Sequence, residues 1–79
     1  MAVRHFENHE AISSALPVED AFEAVIAVKL RGSSNPPHFH HVAYGQRYDL
    51  ASEADTAAEA ALNKVTEVDA DGELVWEKS

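Results

Sequence analysis

Three of the chain's five histidines, His38, His40 and His41, fall within four positions of the stretch NPPHFHHVAYGQRY. Imidazole is a common metal ligand, so the cluster raises metal binding as the first chemistry to weigh. Along an extended strand, residues 38 and 40 point to one face and residue 41 to the other. His38 and His40 could therefore share an ion, but zinc needs at least one more ligand and a structural site usually four. His5, His9, Glu7 or Glu10 would have to supply it from a neighbouring strand. The ordinary alternative is a strand entry whose imidazoles pack their rings and expose a nitrogen. No cofactor is implied by any other motif.

The remaining candidates reduce to structure. HEAIS at 9–13 starts like the H-E-x-x-H metalloprotease motif but has Ser13 where the second histidine belongs. DADGE at 69–73 has the opening of an EF-hand loop without its later ligands, and reads as a turn that ends a helix. The serine pairs 13–14 and 33–34 sit in no nucleophile-elbow context, and there is no phosphate-cradling glycine loop. The chain has no cysteine, which excludes thiol chemistry and thiolate-bound zinc and favours a reducing compartment. No nucleophile, base and orienting group can be assembled from spacing, so a non-catalytic protein is expected.

The elements that must position these residues can be read from periodicity. In AFEAVIAVKL, at 21–30, Phe22, Ala24, Ile26, Val28 and Leu30 form one apolar row and Glu23, Val25, Ala27 and Lys29 the other. Residues 40–50 read as a second strand with Val42, Tyr44, Tyr48 and Leu50 facing the core. The polar loop RGSSNPP between them implies an antiparallel hairpin. HEAISSAL, at 9–16, reads as a first strand with Ile12, Ser14 and Leu16 inward.

LASEADTAAEAALNKVTEV carries a helical stripe of Ala54, Ala57, Ala58, Ala61, Leu62, Val65 and Val68, with Ser52 as N-cap and Asp55 as the capping-box acid. Its alanines allow close approach to a sheet. GELVWEK is a short extended segment that could add a fourth strand at 73–77 or fold back as a tail. The expected fold class is α+β: a three-stranded antiparallel meander with one C-terminal helix on one face, forming a single domain over residues 1–79.

One helix leaves the second sheet face open. That face is expected to hold Val25, Ala27, Ala43 and Gly45, beside Ala11, Ser13 and Ala15, with Trp76 either sealing it or anchoring an interface. A second copy of the chain is the expected occupant, making a homodimer through the open face or an edge strand.

Net charge is −8, of which residues 49–79 contribute nine acids against two bases. Lys and Arg are scattered, so direct nucleic-acid binding and anionic membrane surfaces are disfavoured. Residues 1–10 lack the apolar core of a signal peptide and no run approaches the ~20 residues of a membrane span, which points to a cytoplasmic location.

In order of elements and local wording, FENHEAI, FEAVIAVKL, HHVAYGQRYDLASEADTAAEAALNKV and VDADGEL resemble a group of small bacterial single-domain β-β-β-α proteins. The layout is distantly similar to the HlyU-type family, whose members carry a transcriptional-activator label. The resemblance implies a regulatory factor and carries no functional residue with it. The chain departs from that pattern in its acidity and its proline–histidine loop, so any such role would run through protein partners. Three functions are thus set against each other: an interaction module, a transcription-linked factor and a metal-binding protein.

Overall fold

The computed structural model describes residues 2–34, 36–42 and 46–77. Strands β1 (Val3–His5), β2 (His9–Val18), β3 (Ala21–Leu30) and β4 (His38–His41) form one antiparallel sheet in sequential order. Helix α1 (Ala51–Leu62) follows, then β5 (Val65–Val68) and β6 (Leu74–Trp76), which pair only with each other. The α+β class and an antiparallel meander are present, but the strand expected over 40–50 is instead β4, which ends at His41. The sheet gains the short edge strand β1, and the helix is followed by a hairpin rather than closing the chain.

The ten-residue β2 and β3 make the central hairpin, with Val18 opposite Ala21 across the turn at Glu19 and Asp20. Glu19 takes φ 54°, a left-handed conformation that costs an L-residue roughly 1–2 kcal/mol. Pro17 is tolerated inside β2 because the opposing Phe22 sends its N–H and C=O the other way, to Tyr48 at 2.8 Å each. On its other side β2 extends past the last β1 partner, Ile12, so no ladder there needs a proline N–H.

Pairing register fixes the two faces. Ala11 lies opposite Val28, Ser13 opposite Ile26 and Ala15 opposite Ala24, so these odd positions of β2 share the helix-facing side. This reverses the expected phase of the first strand: Ala11 and Ser13 are buried in the core, while Ile12, Ser14 and Leu16 face away from the helix. Small side chains line the inner side of β2, where α1 packs through Ala54, Ala58 and Leu62, while the larger Ile26 and Val28 fill the same side from β3. The polarity of Ser13 is met locally. Its hydroxyl accepts the Ala2 N–H at 2.8 Å and donates to Asp55 Oδ1 at 3.0 Å, tying β2 to the helix.

The helix is shorter than its apolar stripe. Val65 and Val68 continue the stripe in sequence but belong to β5, and both still pack on the core. The turn is made by Asn63 and Lys64, whose N–H groups donate to Glu59 and Ala61 at 3.0 Å each. Arg4 reaches across from β1 and donates through Nη1 to the Leu62 and Val65 carbonyls, with its guanidinium 4.9 Å from the Phe6 ring centre. A cation on these carbonyls also suits the negative end of the helix dipole.

At the other end the N-cap is Leu50, 58 % exposed and without a side-chain cap bond, rather than Ser52, which lies inside the first turn. Leu50 therefore leaves the core row proposed for residues 40–50. Val42 is buried there, Tyr48 is half-buried against the core and paired with Phe22, and Tyr44 lies outside the described residues.

The DADG stretch closes the β5–β6 hairpin and does not end the helix. Asp69 carboxylate oxygen Oδ1 accepts the N–H groups of Asp71 and Glu73 at 2.9 and 3.0 Å, and Gly72 sits at φ 83°. The segment expected to add a fourth strand to the meander is β6, paired antiparallel with β5.

Candidate functional site

Two surfaces arise from this arrangement: the sheet face away from α1, and a cleft where β4, α1 and the second hairpin meet. On the uncovered face, pairing register sets Val3 opposite Ile12, Ile12 opposite Ala27 and Ala27 opposite Phe39. Four apolar side chains from four strands thus stand in one transverse row. Its ends, Val3 and Phe39, are 48 % and 51 % exposed. Ala27 and Val25, in the middle of the sheet, are buried by the side chains around them.

Polar pairs flank the row. His5 Nδ1 lies 3.7 Å from Glu10 Oε1 on one side, where Lys29 is the next residue across. His41 Nδ1 lies 3.7 Å from Glu23 Oε2 on the other. Glu10, Glu23 and Lys29 leave this face at −1 of the chain's −8.

The expected metal pair is separated. His38 and His40 do share the helix-facing side of β4, opposite Val28 and Ile26, while His41 points the other way. His38, however, borders a smaller cavity with His9 and Asp71, whereas His40 borders the larger cleft with its Nδ1 4.0 Å from Glu73 Oε2. Among the described residues no three His, Cys, Asp or Glu side chains come close enough to hold an ion together.

The expected interface set is also divided. Val25 and Ala27 belong to the uncovered face, Ala43 and Gly45 lie outside the described residues, and Trp76 is across the molecule on β6. Trp76 borders the cleft beside the helix, so the tail does not fold over the open face.

The cleft measures about 480 Å³. Its floor is the alanine face of α1 (Ala57, Ala60 and Ala61), and Val42, Leu74 and Trp76 form its apolar walls. Lys64 and Glu73 stand at its rim. Periodicity missed it because β5, which pairs with β6 to close it, was hidden in the helical stripe. The other missed residue of consequence is Arg4, an isolated cation in a weakly patterned segment.

The carboxyl of Asp55 is held below the ordinary carboxylate range. The chain's α-ammonium group is the main cause; burial opposes it, and the hydrogen bond from the Ser13 hydroxyl adds to it. No helix of the described residues is long and apolar enough to cross a membrane. Comparison of the chain with protein-family models, with curated proteins and with solved structures finds no match.

Proposed function

We propose that the protein is a non-catalytic interaction module that self-associates through the uncovered face of its four-stranded sheet. The observation that carries this reading is the in-register row Val3–Ile12–Ala27–Phe39, whose exposed ends are large apolar side chains on an otherwise acidic molecule. A second copy is favoured as occupant on two grounds. The face holds only −1 of the net −8, so it is the surface through which two like-charged chains approach at least electrostatic cost. The molecule is also a slab of 35 × 33 × 18 Å, broad enough for the roughly 800 Å² per partner that a standard interface buries.

A two-fold axis through the row would bring the Phe39 end of one copy towards the Val3 end of the other. The two sheets would stack about 10 Å apart, as in other face-packed sheets. The acidic remainder then faces solvent, which works against a nucleic-acid partner.

The test is sedimentation of the natural chain beside Val3→Glu and Phe39→Glu, both at exposed positions where the fold should survive. The natural chain is expected at twice its 8.6 kDa mass and both variants at the single-chain mass. A natural chain that remains a monomer at about 100 μM would remove the proposal.

A further inference from the structure

We propose that the cleft between β4, α1 and the β5–β6 hairpin takes an extended basic peptide, which adds as a strand to the free edge of β4. Three consecutive residues, His40, His41 and Val42, border the cleft. Successive side chains of a strand point to opposite faces, so a cavity touched by all three abuts the strand's edge rather than lying over one face.

The backbone groups at that edge can be assigned. Val42 donates its N–H inward to the Ala24 carbonyl at 3.0 Å. Inward and outward positions alternate along an antiparallel strand, so His40 and His38 also bond to β3. Phe39 and His41 then direct their N–H and C=O groups outward. The sheet ends at β4, and among the described residues no backbone bond is made to these groups. They form a short ladder waiting for a partner.

The cleft suits the side chains such a strand would bring. Ala57, Ala60 and Ala61 present only methyl groups as a floor, and Trp76, 43 % exposed, supplies a flat apolar wall. An inward-pointing apolar side chain of the peptide would be buried there, while its neighbours point away.

Charge selects the class of peptide. Residues 51–77, which build the floor and the far wall, carry eight acids against Lys64 alone, a net of −7. Lys64 and Glu73 offset each other at the rim, so the selecting field comes from the other acids of these elements. Long-range attraction therefore favours lysine or arginine flanking the apolar centre.

The probe is a terminally blocked hexapeptide, Lys-Val-Thr-Val-Thr-Lys, titrated into the ¹⁵N-labelled chain and followed by NMR. Saturable shifts are expected at the Phe39 and His41 amides and the Trp76 indole N–H, with Kd between about 10 μM and 1 mM. Replacing the second valine of the probe by proline, or both lysines by glutamate, is expected to weaken binding at least tenfold. Ala60→Phe, at an exposed position that fills the floor, should do the same. The Val3→Glu variant, altered only on the opposite face, should bind as the natural chain does, which separates this site from the self-association surface. Equal binding of the proline or glutamate probe, shifts confined to the uncovered face, or no saturable shift by about 1 mM would each overturn the proposal.

Discussion

Ser13 joins three parts of the chain through one buried hydroxyl, accepting from Ala2 and donating to the Asp55 carboxylate on the helix. Removing it leaves a backbone N–H short of its acceptor and a carboxylate short of a donor, and that asymmetry makes the loss larger than one average hydrogen bond. Ser13→Ala is expected to lower unfolding stability by about 1–3 kcal/mol in a denaturant titration, whereas Ser14→Ala, on the other face, should be nearly silent.

A pH dependence follows at Asp55, whose carboxyl is lowered chiefly by the chain's α-ammonium group and in smaller part by Ser13. Because the Asp55 carboxyl is lowered on folding, its contribution is complete above the ordinary carboxylate range and is lost as pH falls through the folded value. Asp55→Asn should flatten that part of the acid limb. None of this was legible in sequence, where Ser13, alternating with Ala11 and Ala15 beside the row of Ile12 and Leu16, reads as an outward polar position. What decides the face of β2 is a partner 42 residues away.

Among the elements, β3 was legible because it is long, central and apolar on both rows, so either phase would give a buried strand. The extent of α1 was misjudged for a definite reason: Val65 and Val68 keep the helical spacing, yet they are β-branched and pair in a hairpin whose turn depends on Asp69 and Gly72. Edge strand β1 is three residues long and too short for any period to show.

Two element-level outcomes follow. Leu50 occupies the N-cap exposed and without a side-chain bond, so Leu50→Asp should add an acceptor and a favourable dipole interaction worth about 1 kcal/mol, read as a raised denaturation midpoint. Asp69→Ala removes the acceptor of two turn N–H groups. Hydrogen exchange at Asp71 and Glu73 should then quicken by about tenfold while β2 and β3 amides stay unchanged, because the second hairpin shares no ladder with the main sheet.

At the scale of the whole molecule, two layers give a slab 18 Å thick with a helix on one side only. A chain of 79 residues has few reserves beyond such a core, and association is a common way for small domains to gain burial. That one sheet face would be left open could be argued from the count of helices alone. The residues on it could be named only in part: Val25 and Ala27 lie there, but Phe39 and Val3 enter through strand boundaries and register that periodicity does not supply.

The most direct measurement is an isotope-filtered NOE experiment on a mixture of labelled and unlabelled chains. Cross-peaks between the Phe39 ring of one copy and the Val3 or Ile12 methyl groups of the other are the predicted result. Intermolecular cross-peaks arising from α1 or from the second hairpin, with none from the Val3–Phe39 row, would contradict the account.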